Sequence, residues 1–264
     1  MRYINFLVLA ICLFSCTKTV IDEKTKIIGH AAMGLNSSSS IYADNSLEAI
    51  QLALSFTKCN GIELDLQLDN TGQLWLYHDE LLSTKTNADG CINSIDPYLL
   101  SAVFYKTLHH EKLVKLDDHL LKILSDKIVF FDLRHFNACT DSWIDSAKLK
   151  DALIALELDE MENCIIITSN SQFLEMLGDK FKVFFATDNY TYGLQVILDY
   201  PECDGLVIRN ASINSDEVLA IQAMNKEVAI FEVRSPKGTK NAFNKAPDYL
   251  ITDELRTAIA IAHQ

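Results

Sequence analysis

The chain has 264 residues, 49% of them hydrophobic and 22% charged, with only 9 Gly and 4 Pro. That composition excludes a disordered, collagen-like or low-complexity protein and supplies apolar material for one sizeable core, so a single domain is expected. Lys and Arg total 23 against 36 Asp and Glu, a formal charge of -13; this excludes nucleic acid as a partner, and an anionic substrate needs a local positive feature such as a metal ion.

At the N-terminus a lone basic residue, Arg2, precedes an apolar run from Ile4 to Phe14 that is too short to span a bilayer. The run ends in Leu13-Phe14-Ser15-Cys16 ahead of polar Thr17-Lys18-Thr19, and it resembles a bacterial lipoprotein signal. The resemblance implies a signal over residues 1–16, lipid on Cys16 as a membrane anchor, and a place in the bacterial cell envelope, periplasmic or surface-facing. An ordinary cleaved signal peptide is the alternative. Residues 17–25 then form a tether. Five cysteines remain beyond it, Cys59, Cys91, Cys139, Cys164 and Cys203, without zinc spacing. An odd number leaves at least one thiol free. Cys164 and Cys203 sit in strand-like text and read as buried and inert.

From Lys26 onward, short β-branched runs alternate with helix-period segments. Strands are expected at 26–30, 61–68, 74–78, 127–133, 164–169, 183–187, 205–208, 228–233 and 249–252. Helices are expected at 46–56, 142–158, 171–177, 192–198, 215–225 and 254–263. This alternation argues for a mostly parallel sheet with helices outside it, an α/β fold. Nine strands is one too many for a (β/α)8 TIM-type barrel, and the surplus reads as a hairpin across Asp69-Asn70-Thr71-Gly72. Residues 80–126 are irregular, then helical at 117–124, and read as a rim insertion in a barrel running over 26–264. A doubly wound open sheet usually carries a Gly-rich nucleotide loop, which is absent here.

The run Gly61-Ile62-Glu63-Leu64-Asp65-Leu66 puts acids inside a strand. With a period of two, Glu63, Asp65 and Gln67 share one face while the leucines pack on the other. Two carboxylates so placed repel each other and are costly to bury alone. One divalent cation resolves the conflict, and oxygen ligation suits Ca²⁺ or Mg²⁺. A wet edge strand is the plainer reading, but the flanking text has buried-strand character. Antiparallel pairing in the hairpin brings His78 opposite Glu63 or Asp65, within range for proton transfer. His30, ending the first strand, is the second proton carrier. His109, His110 and His119 read as solvent-facing, 237–245 as a solvated loop, Trp75 and Trp143 as packing residues, and Ser37–Ser40 as a rim loop.

At these residues the chain resembles the glycerophosphodiester phosphodiesterases, within the phospholipase-C-like TIM-barrel phosphodiesterases. Ile27-Ile28-Gly29-His30 resembles the family's opening strand and first histidine, and Gly61-Ile62-Glu63-Leu64-Asp65 its metal-binding strand. Residues 43–49 are similar to its Pro-Glu-Asn-Thr segment, His78-Asp79 to its second histidine, and Leu250-Ile251-Thr252-Asp253 to its final strand. The resemblance implies Glu63, Asp65 and Asp132 as ligands of one divalent cation and His30 and His78 as the acid–base pair. It implies metal-dependent hydrolysis of a small phosphodiester to a phosphomonoester and an alcohol, with the substrate's own neighbouring hydroxyl or water as nucleophile. Arg134 stands where the family has Lys and is expected at the phosphate. Three positions depart from the pattern: Ala31 replaces an Arg, Asp44 a Glu, and Asp132 a Glu. Arg234 is expected to return the positive charge lost at Ala31. The competing expectation is a catalytically weakened barrel acting as a ligand-binding envelope lipoprotein.

Overall fold

The structure is a computed structural model that describes residues 24–35 and 40–263. The signal segment with Cys16, most of the tether and Ser37–Ser39 lie outside the described residues. Eight parallel strands form a closed barrel: β1 (Lys26–Gly29), β2 (Gly61–Leu68), β5 (Ile128–Leu133), β8 (Cys164–Thr168), β9 (Lys182–Thr187), β10 (Gly205–Arg209), β11 (Glu227–Val233) and β12 (Tyr249–Thr252). Their order is β1-β12-β11-β10-β9-β8-β5-β2, and β1 pairs with β2 to close the ring. The expected (β/α)8 architecture is therefore observed.

Helices pack outside the barrel because each strand buries both faces. Outward Ile62, Leu64, Leu66 and Leu68 join Val129, Phe131, Ile166 and Leu206 in the layer beneath the helices. Helix α1 (Leu47–Ser55) starts where the Ser46 hydroxyl accepts the Ala49 N–H, and it buries Ala49, Ile50 and Ala53 against that layer. Inward residues fill the barrel. Phe130 meets Phe184 edge-on with centroids 5.7 Å apart, and Tyr249 at 5.0 Å. Such edge-to-face pairs add about 1 kcal/mol each beyond area burial, and they floor the barrel below the acids of β2.

The surplus strand is β3 (Leu74–Leu76), antiparallel to β2, with β4 (Val114–Lys115) beyond it. The insertion between them contains the short helix α2 (Pro97–Leu100) and a satellite core of Trp75, Tyr77, Leu82, Ile92, Leu100 and Tyr105. Helix α3 (Asp118–Leu124) then leads into β5. Among the described residues, no helix is long and apolar enough to cross a membrane.

Several expectations are corrected. The helix read over 142–158 begins four residues later as α4 (Ser146–Ala155), where Asp145 caps it. Ser142–Trp143 (β7) instead pairs with Phe136–Asn137 (β6) in a two-stranded hairpin. Cys139 in the hairpin loop is disulfide-bonded to Cys91 of the insertion, which ties the hairpin to it. Trp143 is consequently 65% exposed rather than packed, whereas Trp75 is buried and donates from Nε1 to Asp69. The stretch read as a solvated loop is the helix Pro236–Phe243, capped by Ser235. Cys59, Cys164 and Cys203 are free and buried, and burial pushes the Cys164 thiol up to about 12 and that of Cys203 to about 11. His109, His110 and His119 are exposed.

Candidate active site

Because β2 sits between β1 and β5, its inward face is walled off from water, and Glu63 and Asp65 are only 3% and 1% exposed. Asp132 is opposite Asp65 in the parallel β2–β5 register. The three acids bring one oxygen each within 4.8 Å of one another. One oxygen of Glu63 is fixed by the Ala31 N–H at 2.8 Å. Asp65 is held at both ends by Asn45, whose Nδ2 donates to Asp65 Oδ2 at 2.8 Å and whose Oδ1 accepts the Asp65 N–H at 3.0 Å. Burial, helped by the charge of Asp65 and opposed by His30, pushes Glu63 up to about 8. Burial also raises Asp132, against the opposing charge of Arg134. Three converging, partly anchored carboxylates, two of them buried, have the donor chemistry of a hard divalent cation. The set fits such an ion.

His30 leaves β1 at a sharp turn. A Cβ on Gly29 would lie 1.9 Å from the Ala32 carbonyl oxygen, so the close approach requires glycine there. Ala31 and Ala32 follow with φ of 43° and 73°. The turn aims His30 Nε2 at Glu63 Oε2, 3.8 Å away, and puts Nδ1 2.7 Å from Asp253 Oδ1 at the end of β12. Burial by itself would lower the His30 pKa. The Asp253 hydrogen bond and the charges of Glu63, Asp253 and Asp65 outweigh it and raise it to about 9.

His78 is not opposite Glu63 or Asp65 as expected. β3 ends at Leu76, Tyr77 N–H bonds Asp65 O at 3.0 Å, and His78 leaves the ladder. Its imidazole bridges Asp79 Oδ1, 3.0 Å from Nδ1, and Arg134 Nη2, 2.9 Å from Nε2. Arg134 also donates from Nη1 to Asp132 Oδ2 at 3.0 Å. The far wall carries Arg234, whose Nε donates to Asp253 Oδ2 at 3.1 Å. It also carries Glu232, whose carboxylate lies 2.7 Å from Arg209 Nη1 and 3.4 Å from Arg234 Nη1. Glu232 has φ 60° where the β11–β12 register shifts between Ile230 and Val233.

All seven residues singled out in the sequence, His30, Glu63, Asp65, His78, Asp132, Arg134 and Arg234, line one cavity of about 340 Å³. Asn45, Asp253, Arg209 and Glu232 were given no role. Asp253 and Arg209 end strands, which was a readable signal. Asn45 lies in the segment 43–49 already set apart in the sequence and has φ 61°, which asparagine favours among non-glycine residues; Glu232, with φ 60°, carries no such mark.

No family model matches the chain. A glycerophosphodiester phosphodiesterase of Bacillus altitudinis is 23% identical over 256 residues, covering 91% of this chain and 99% of that protein. The structure resembles an Oleispira antarctica phosphodiesterase in complex with the product sn-glycerol-3-phosphate, with TM-score 0.74, 18% identity, and coverage of 90% of this chain and 97% of that one. It also resembles glycerophosphodiester phosphodiesterases of Parabacteroides distasonis and Thermotoga maritima. The first has TM-score 0.70 and 20% identity, covering 91% of this chain and 97% of that one; the second has 0.68 and 19%, covering 91% and 98%. These structural likenesses establish the fold. In sequence over nine-tenths of its length, and in fold, the chain is thus similar to the glycerophosphodiester phosphodiesterases, as its opening-strand and Gly61–Asp65 motifs imply.

Proposed function

We propose that the chain is a phosphoric diester hydrolase that cleaves glycerophosphodiesters or related diesters to a phosphomonoester and an alcohol. The observation that carries this reading is the convergence of two histidines and three carboxylates on one cavity at the C-terminal mouth of the barrel. A divalent cation held by Glu63, Asp65 and Asp132 would supply Lewis-acid polarisation of the phosphoryl oxygens. The remaining work belongs to the chain. A guanidinium can only donate, so the Arg134 contact makes His78 Nε2 an acceptor and leaves its proton on Nδ1, toward Asp79. His78 is then the base: Arg134 turns to the phosphate, and Nε2 takes the proton of the attacking hydroxyl or water. His30, oriented by Asp253, gives its Nε2 proton to the departing alcohol oxygen.

The departures do not favour a binding-only protein. The position of Ala31 serves Glu63 through its backbone N–H, which any residue but proline supplies. Placement in the envelope belongs to the same reading, supported by the Cys91–Cys139 bond, since such bridges persist in oxidising compartments. The test is release of alcohol from glycerophosphodiesters with chelator, then with Mg²⁺ or Ca²⁺ restored. Cleavage that needs the cation is expected; none with either ion refutes the assignment. A transient cyclic phosphate in the ³¹P spectrum marks the neighbouring hydroxyl as nucleophile, and undiminished cleavage of a diester lacking that hydroxyl marks water.

A further inference from the structure

His30 is held through Nδ1, while Nε2 is the nitrogen turned toward Glu63. A carboxylate only accepts, so the 2.7 Å contact with Asp253 Oδ1 puts a proton on Nδ1. Asp253 is 3% exposed, and its two oxygens are occupied differently. Oδ1 accepts from His30 and also from the Leu35 N–H at 2.8 Å. Oδ2 accepts from Arg234 Nε at 3.1 Å, its one hydrogen bond among the described residues. Without Arg234, a buried carboxylate oxygen loses its donor, and Asp253 is free to turn and take the imidazole with it. Arg234 is itself fixed. The Val233 carbonyl oxygen accepts the Asp253 N–H and the Thr252 hydroxyl, each at 3.1 Å, which locks the ends of β11 and β12 together just before Arg234. Arg234 Nη1 lies 3.4 Å from Glu232, whose carboxylate continues to Arg209. Arg209 in turn holds Asp188 with 3.0 Å bonds from Nε and Nη2. Side chains of alternating charge, Asp188, Arg209, Glu232, Arg234 and Asp253, thus cross the rim from β9 to β12 and end on His30.

We propose that Arg234 is a positioning residue: through Asp253 it holds His30 with Nε2 turned to the reacting atoms, and so it serves proton delivery to the departing alcohol rather than binding of the phosphate. Two of its nitrogens are engaged by carboxylates, which is the geometry of a strut and not of an open anion site. The inference rests on the hydrolase reading for the reaction, but the linkage from Arg234 to His30 is measurable without turnover.

Two readouts test it in the wild type, Arg234→Ala and Arg234→Lys; the side chain is 59% exposed, so folding is not at stake. The first is proton NMR. An imidazole Nδ1 proton bonded to a carboxylate gives a far-downfield signal, assigned to His30 by its loss in His30→Ala. It is expected to broaden or vanish in Arg234→Ala and to return in Arg234→Lys. The second is kinetics on glycerophosphoglycerol and glycerophospho-p-nitrophenol, which share the retained half. An alkoxide leaves poorly without a proton, whereas a nitrophenolate needs none. Arg234→Ala is expected to lower kcat about tenfold on the glycerol diester, a fraction of the roughly 10²–10⁴ that general acid catalysis supplies. On the nitrophenyl diester the expected loss is below about twofold, with KM little changed on both and most of kcat recovered in Arg234→Lys. An unchanged downfield signal in Arg234→Ala, or equal effects on kcat for the two diesters, overturns the proposal. So does a loss confined to KM, which marks a phosphate ligand. A signal lost in Arg234→Ala in a protein that cleaves neither diester supports the linkage and refutes the hydrolase reading.

Discussion

Arg134 Nη2 lies 2.9 Å from His78 Nε2, so in the free protein the lone pair needed for proton abstraction is capped by the side chain that stands ready for the phosphate. Binding an anion and freeing the base are therefore one event. Arg134→Ala is expected to lower kcat/KM by about 10²–10³, roughly 3–4 kcal/mol of charge stabilisation. Arg134→Lys should recover part of that loss, because an ammonium holds phosphate without the two-sided fork. Steady-state kinetics on one diester checks both; equal values for the Ala and Lys variants contradict the role.

The acids predict a pH dependence. Glu63 sits up at about 8 and His30 up at about 9, so the folded, metal-free site binds more protons than the unfolded chain. Stability from both groups is present at low pH. For Glu63 it is lost as pH rises from 4.5 through about 8, and for His30 from 6.5 through about 9. A cation must displace the Glu63 proton, so its binding tightens over the same interval. Thermal melts with chelator should therefore show a Tm that falls from pH 5 to 9, and added Mg²⁺ or Ca²⁺ should restore most at the alkaline end. Glu63→Gln should flatten the fall. A wild-type Tm that rises with pH in chelator contradicts the site's charge balance.

Glu232 predicts a separation of stability from function. Its left-handed backbone, φ 60°, costs on the order of 1 kcal/mol in a non-glycine residue. Its contacts with the half-exposed Arg209 and Arg234 return little, since exposed ion pairs are worth about 0–1 kcal/mol. Glu232→Gly should leave Tm unchanged or raise it, while removing one carboxylate partner from each arginine, which stay on Asp188 and Asp253, and raising KM. A fall in Tm of several degrees with kinetics intact would show the bulge to be purely architectural.

The Cys91–Cys139 bond closes a loop of sequence separation 48, which in the chain-entropy account is worth about 4 kcal/mol. Reduction should lower Tm and expose the β6–β7 hairpin to protease before the barrel is cut. Uniform proteolysis of reduced and oxidised protein would contradict that order.

Much of this was legible because the signals are periodic. The alternation of Glu63, Asp65 and Gln67 with three leucines fixes an inward acid face whatever the neighbours, and β2 is buried along its whole length. Strand order and barrel closure followed from the βα alternation. What stayed hidden depends on contacts distant in sequence. The β6–β7 hairpin looked helical because Ser142–Leu158 carries helix-compatible text; Ser142–Trp143 instead pairs with Phe136–Asn137, in a hairpin whose loop is bonded to the distant Cys91. The register placed Tyr77, not His78, beside Asp65, because three residues, Asn70–Gly72, rather than two lie between the hydrogen-bonded Asp69 and Gln73, and the odd loop shifts the pairing by one. Asp253 reaches His30 across a sequence separation of 223, invisible to any local pattern.

The most direct test of the whole account is ³¹P NMR of glycerophosphocholine with the wild-type protein, His30→Ala, His78→Ala and Glu63→Gln, each with Mg²⁺ or Ca²⁺ and with chelator. The account predicts a glycerol phosphate signal from the wild type with cation, its loss on chelation, and rates at least about 10²-fold lower in each variant. Glycerol phosphate formed in chelator, or at undiminished rates by both histidine variants, would contradict it.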